Sequence, residues 1–415
     1  MTREATSVLP NTDIEALRSA TPTLDLGALG LDTGAHVLVA HALRVRAPGQ
    51  SLRVQGSHPE LGVHLSGWCR RRGLAVRSAD GSHWIAPGAG DSQRWRSASR
   101  AGDADLRQPN AVADRPRASW GVAARGALVE EGGPAFHFPM SEKAGLWADD
   151  AARLYAAAAA AQWDPDQAID WKAPFELPDE VEDAVAQVMT YLVENENAAL
   201  LVPARFLGQM HPHFREVLQC LAITIADEAR HVEVFTRRIA LKGKTPALST
   251  AGAQSSLKTL FDAPDFSVAS FLLSVLGEGS FVNLLNFLYA HAPDPVTRQI
   301  CRLAGIDEAR HVAFGMSHLA WQMAHEPELK HRLHAAVESR FDELANTDGL
   351  NEEVFDALIL LAAGAFTPEA VAIGYSRVQR LKTEMTEGRR SRLVKLGFTP
   401  DAALALSERH TRNFM

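Results

Sequence analysis

The sequence predicts a mainly α-helical protein: a four-helix bundle with extra C-terminal helices, preceded by a small α/β domain. Three observations predict it. The pentapeptide Asp-Glu-Ala-Arg-His occurs twice, at 227–231 and 307–311, each time inside an apolar run. A Glu-bearing helical stretch precedes each copy, around 193–203 and 271–285, at matching distances. Before residue 90 the pattern changes to short segments punctuated by Gly and Pro, as strands and tight turns require.

Composition sets the outer limits. A chain of 415 residues can bury a large core and hold two or three domains. A net charge of −8 without a sustained basic stretch argues against a nucleic-acid partner. The short run Arg389-Arg390-Ser391-Arg392 reads as a solvated face. The first residues, Met1 to Thr6, lack the apolar segment of a signal peptide. The three cysteines, 69, 220 and 301, have no metal-type spacing, so packed thiols in a reducing cytoplasm are expected.

Residues 1–21 form an N-terminal extension. Residues 22–90 read as the α/β domain. Its elements are helix at Leu38–Leu43, a turn at Ala47-Pro48-Gly49, an alternating strand at Gln50–Gln55, helix at Glu60–Arg72 stopped by Gly73, and strand at Leu74–Ser78. Residues 91–140, rich in Gly, Ala, Arg, Asp, Ser and Pro with scattered Trp95 and Trp120, read as a linker laid over the bundle surface. Residues 141–415 form the helical domain. An Ala-rich helix at Leu154–Gln162 ends at Trp163-Asp164-Pro165, and Pro178-Asp179-Glu180 opens the first bundle helix with acidic residues. His211 and His213 fall in the turn between bundle helices and are expected to be exposed. Helical patterns resume near 326–346, 351–364, 368–386 and 400–412, with Thr367-Pro368 as a cap-then-proline start. They cover one side of the bundle or build a homodimer interface.

The repeated motif carries the chemistry. Glu228 and His231, and likewise Glu308 and His311, stand three apart and so share a helix face. A charged pair inside an apolar helix is costly unless it is paired or metal-bound. Two facing Glu-x-x-His helices, with one Glu from each of two further helices, form the interior of dinuclear metal bundles. Before the second copy the added Glu is Glu278, the single charge in Phe271–Leu285, thirty residues ahead of Glu308. Its apolar stretch approaches membrane-span length, but the central carboxylate and the turn at His291–Pro295 favour a buried bundle helix. Before the first copy Glu194 and Glu196 both qualify. Glu196 shares its face with Leu192, Val193, Ala199, Leu200 and Pro203, which matches the surroundings of Glu278 better than the Thr190, Tyr191, Asn197 and Ala198 face of Glu194. The expected metal ligands are Glu196, Glu228, His231, Glu278, Glu308 and His311.

These residues resemble the ferritin-like di-iron carboxylate superfamily of oxygenases and oxidases, over roughly residues 178–325. The Asp-Glu-x-Arg-His form is similar to that of bacterial multicomponent monooxygenases and ribonucleotide reductase small subunits. The resemblance implies that Asp227 orients His311 and Asp307 orients His231. It implies two iron ions, with manganese–iron as an alternative, activating O₂ to oxidise a small organic molecule, with electrons from an external reductase or the substrate. Phe235, Phe281 and Leu285 would wall the oxidant. Two departures narrow it: Phe235 stands where radical-bearing subunits keep Tyr, and Ala304 where arylamine N-oxygenases keep an added His. Iron storage or a scaffold role is the non-enzymatic alternative.

The α/β domain resembles TusA-like sulfur carriers through Leu24-Asp25-Leu26, Pro48-Gly49 and Trp68-Cys69-Arg70-Arg71-Arg72-Gly73. Their catalytic Cys is missing, because Gly30-Leu31-Asp32-Thr33-Gly34-Ala35 holds no thiol. Persulfide chemistry needs one, so a docking or regulatory module is expected.

Overall fold

The computed structural model describes residues 21–46, 49–86, 97–344 and 352–411. The N-terminal extension up to residue 20, the Ala47-Pro48 half of the turn signal, and Trp95 lie outside the described residues. The chain divides into two compact units, Met1–Ala104 with Arg125–Ala135, and Asp105–Ala124 with Phe136–Met415.

The first unit follows the order β1 (Thr23–Asp25), α1 (Ala35–Arg44), β2 (Leu52–Gln55), α2 (Leu61–Arg71), β3 (Ala75–Ala79) and β4 (Ser82–Ala86). The strands form one sheet in the order β1-β2-β4-β3, with β1 parallel to β2 and the other pairs antiparallel. Leu52 and Val54 alternate inward from β2 and pack with Val39, Leu65, Trp68 and Ile85. Cys69 joins this core, and burial pushes its thiol up to about 12. Gly73, at φ +67°, takes the left-handed turn that ends α2. Strand β4 was not anticipated. Its signal was Asp80-Gly81, both at positive φ, the two-residue hairpin turn whose twist matches its strands. Two further short strands, β5 (Ser99–Arg100) and β6 (Leu128–Val129), pair within this unit.

The second unit is helical. An Ala-rich α3 (Ala151–Ala160) precedes α4 (Asp179–Leu207), α5 (Arg215–Leu241), α6 (Ala251–Phe261), α7 (Phe266–His291) and α8 (Pro295–His325). Helices α4 and α5 form one hairpin and α7 and α8 the other. The connection between hairpins climbs the length of α4. Lys244 reaches Asp179 and Asp183 at 2.7 and 2.6 Å, Ala247 N–H donates to Thr190, and Gln187 bonds Leu248. Arg205, at the far end of α4, donates to the carbonyls of Phe261 and Ala263. Helix α7 therefore starts beside the end of α4 and runs parallel to α5. Two hairpins joined by one long crossover make a ferritin-like bundle. Helix α7 is long and apolar enough to cross a membrane, but 83% of its apolar window is buried inside this bundle.

At the end of the bundle near the α7–α8 turn, the buried Arg238 of α5 donates to Glu182 of α4 at 3.1 Å and to Asp294 at 2.9 Å. Asp294 also caps α8 by accepting from Thr297 N–H. One guanidinium thus ties three helices at a single level. The C-terminal helices α9 (Leu329–Leu344), α10 (Glu352–Ala363), α11 (Pro368–Lys395) and α12 (Pro400–Thr411) cover the bundle, α10 against α4 and α11 against α7.

Two expectations change. His211 and His213 are only 2% and 3% exposed. Residues 105–124 and 136–140 supply their cover: Ala113 N–H donates to His213 Nε2 at 2.9 Å, and the rings of Trp120 and Phe138 pack on the pair. The basic run on α11 is a solvated face only at Arg390 and Ser391, because Arg389 is fully buried and Arg392 half-buried against α7.

Removing Arg238 leaves two carboxylates buried without a counter-charge. Arg238→Met is expected to cost about 3–5 kcal/mol of stability, measurable by urea unfolding. His318 of α8 is buried, bonded to the Trp147 carbonyl, and burial pulls it down to about 4 from 6.5. Between those values the unfolded chain binds the extra proton, so this contribution is intact above about pH 6.5 and falls as pH drops toward 4. Unfolding midpoints across that window should show a shallower acid slope in His318→Gln than in the unsubstituted chain.

Candidate metal centre

Helical rise places the ligand-type residues at one height. Glu228 lies thirteen residues into α5 (228 − 215) and Glu308 thirteen into α8 (308 − 295). Glu196 and Glu278 arrive from the middles of α4 and α7. Two groups of four result: Glu196, Glu228, His231 and Glu308, and Glu228, Glu278, Glu308 and His311. Within each group the donor atoms lie within 4.8 Å of one another, and every residue is buried. Glu228 and Glu308 belong to both groups, the arrangement needed for carboxylates shared between two cations. Glu194 instead faces the crossover, where Ser249 and Gln254 hydrogen-bond it.

The two halves resemble each other in their His and Asp contacts. His231 Nδ1 lies 3.1 Å from Glu228, 3.5 Å from Glu308 and 3.6 Å from Glu196. His311 Nδ1 lies 2.9 Å from Glu228 and 3.6 Å from Glu308. Each Nε2 turns outward, His231 to Asp307 at 3.2 Å and His311 to Asp227 at 3.3 Å. An Nε2–H donated to an aspartate fixes the tautomer that leaves Nδ1 free to face the cluster.

The electrostatics are those of a site built for cations. Burial, then the charges of Glu228 and Glu308, drives the Glu196 carboxyl well up. Burial, then Glu308, does the same to Glu278. For Glu228 burial pushes up, but the His311 charge and bonds to both imidazoles outweigh it and hold the carboxyl below its usual range. Burial opposes charge on His231 and His311, yet Glu196 and Glu228 respectively raise them well above an ordinary imidazole. Protons thus stand in for missing positive charge, and a metal would release them. Glu196 Oε1, Glu278 Oε2 and both Glu308 oxygens are buried without a hydrogen-bond partner. Orphaned carboxylate oxygens this deep are costly. A set of four carboxylates and two imidazoles suits iron or manganese, so the residues fit the implied metal pair.

Outside the cluster lies a polar band that the sequence reading passed over. Arg230 Nη2 donates to both Asp227, at 2.5 Å, and Asp307, at 2.8 Å, so it bridges the halves. Arg310 donates to Asp307 as well. Just past α3, Gln162 donates to Asp227 at 2.7 Å and the Trp163 indole N–H to Asp307 at 2.8 Å. The arginines were legible as the fourth residue of the repeated motif. Gln162 and Trp163 carried no signal, because only the tertiary fold brings the end of α3 to the aspartates.

A slim cavity of ≈ 20 Å³, room for about one ordered water, reaches Glu278 and His311. Val202, Phe206, Leu221, Phe266, Leu273 and Phe314 supply its apolar walls, and Thr224, Ser270 and Ser274 its hydroxyls. Phe235, Phe281 and Leu285, expected as the wall, lie in the other half of the core, with Phe235 against His231. Chain spacing gave their helix positions but not which side of the cluster opens.

No protein-family model matches the chain, and no curated protein matches it. Among solved structures, the chain is similar to a Synechococcus protein with aldehyde deformylating oxidase activity: 17% identity, 56% of this chain and 98% of that one, TM-score 0.42. It is also similar to an R2-like ligand-binding oxidase with a reconstituted Mn/Fe cofactor, at 18% identity over 64% of this chain and 91% of that one, TM-score 0.40. A point variant of such an oxidase gives 18% identity over 59% and 92%, TM-score 0.44. Likeness at this level says nothing about chemistry, which rests on the residues themselves.

Glu196→Gln is expected to lower metal content and Glu194→Gln to leave it unchanged, read by elemental analysis of both proteins. The reverse pattern would move the ligand role to Glu194.

Proposed function

We propose that this cluster holds two iron ions, or one manganese and one iron, and that the chain is an O₂-dependent oxidase or oxygenase acting on a small organic molecule. The observation that carries the reading is the pair of four-residue groups sharing Glu228 and Glu308, sealed in a bundle core with orphaned carboxylate oxygens aimed inward. Glu196 and His231 would complete one metal position, and Glu278 and His311 the other. A bound pair supplies the redox electrons and Lewis acidity for reducing O₂.

The chain's own residues do the rest. Asp227 and Asp307 hold the two imidazoles, and Arg230 bonds both aspartates and keeps them in register. The slim apolar cavity, which as it stands has room for about one water, marks the Glu278 and His311 side as the direction from which a substrate would approach once the walls give way. Thr224, Ser270 and Ser274 offer hydroxyls there for orienting a polar group or passing a proton. Electrons come from an external reductase or from the substrate.

For the first unit, the order β1-α1-β2-α2-β3-β4 supports a TusA-like module. With no Cys between Gly30 and Ala35, and Cys69 buried with a raised thiol, docking or regulation is the reading in place of sulfur transfer.

Protein expressed with iron and manganese supplied is expected to hold about two metals per chain, to consume O₂ after anaerobic reduction faster than free ferrous iron does, and to lose both properties in His311→Ala. Near-zero metal, or a mineral of many irons per chain, would replace the oxidase reading with a scaffold or storage role.

A further inference from the structure

Residues Phe271–Glu278 of α7 are wound as a π-helix, and Glu278 is its last residue. Such widened turns are rare, and they replace the i→i−4 ladder by longer i→i−5 bonds. Here the three carbonyls of Ser274, Val275 and Leu276 are each taken. Ser274 accepts from Gly279 N–H, five residues on. Val275 accepts from Arg392 Nε of α11 at 2.8 Å. Leu276 accepts from the Ser280 hydroxyl at 2.7 Å, and Arg389 of α11 in turn donates to that hydroxyl at 2.9 Å.

Glycines on both sides show that this winding is built in. Gly279 has ordinary helical angles, φ −60° and ψ −31°, so no backbone strain calls for glycine there. A Cβ on it would sit 2.3 Å from the Arg392 Cζ, so glycine makes room for the guanidinium to lie on the helix. On the opposite flank, a Cβ on Gly315 of α8 would sit 2.6 Å from Ser274 Cβ. Gly315 is thus the space into which the widened turn bulges, one turn beyond His311. Gly388, one turn before Arg392, brings α11 close enough to Asn283 for the same purpose.

We propose that Arg392 is a positioning residue for Glu278: its guanidinium, seated on Gly279 and bonded to the Val275 carbonyl, holds the π turn and so sets the reach of the Glu278 carboxylate toward its metal. The inference rests on the dinuclear reading above. It assigns the C-terminal helices a part in the centre that none of their residues touches.

Titration of the metal-free full chain with cobalt(II), followed by visible absorption, separates the two positions. The unsubstituted chain is expected to take two equivalents. In Arg392→Met and in Gly279→Ala the second equivalent should weaken by about tenfold or more and its absorption change shape, with the first unchanged and helical circular dichroism retained. Arg392→Lys should recover part of the loss. Arg340→Gln is the control for a buried arginine whose own bonds go elsewhere, to Ser256 and Thr259 of α6 and to His410 of α12. Two equivalents of unaltered affinity and spectrum in both Arg392→Met and Gly279→Ala would overturn the proposal, as would equal weakening in Arg340→Gln. Failure of the unsubstituted chain to bind two would instead strike the dinuclear reading itself.

Discussion

The constraint on which this fold depends is charge without water. Four carboxylates stand in the buried centre of a helical bundle, in two overlapping groups of three whose donor atoms lie within 4.8 Å of one another. Repulsion and desolvation both oppose that arrangement, and two imidazoles answer only part of it. The surrounding structure is ordered around this deficit. The aspartates that face the imidazoles keep positive charge at the cluster, and Arg230 and Arg310 keep the aspartates from adding to the negative excess. A polypeptide that only needed a stable bundle would fill these positions with Leu and Ala.

Much of this was legible in the sequence because it depends on helical spacing. The intervals Glu228 to His231 and Glu308 to His311 fix which side chains share a face, and the apolar surroundings of Glu278 leave no rival for its place. The same arithmetic favours Glu196 over Glu194, and the structure sets Glu196 in the cluster and Glu194 beside Gln254 on the crossover. Caps were equally plain: Thr367 accepts from Ala370 N–H ahead of α11, as a Thr-Pro start requires.

What escaped was contact between segments far apart in the chain. His211 and His213 looked like turn residues, and it is residues 105–124 and 136–140 packing over them that remove them from solvent. Gln162 and Trp163 looked like a helix end. The basic stretch on α11 looked solvated because charge is normally exposed, yet Arg392 donates to the Val275 carbonyl inside the π turn. Backbone winding of that kind depends on neighbours such as Gly315, which no local pattern around residues 271–278 could announce.

The repeated motif also hides an asymmetry. Ligand types match in the two halves, but their surroundings do not. On the Glu196 and His231 side, Phe235 and the Trp163 ring pack close to His231. On the Glu278 and His311 side lies the cavity with its hydroxyls, and there the ligand helix is unwound from the ordinary α-helical pitch and held from outside by α11. A carboxylate on a π turn hangs from backbone whose position is set by side-chain bonds as well as by the helical ladder. The two metal positions therefore differ in what sets their geometry: the first rests on α-helical backbone and close aromatic packing, and the second on a π turn braced by α11, on the side where the cavity lies.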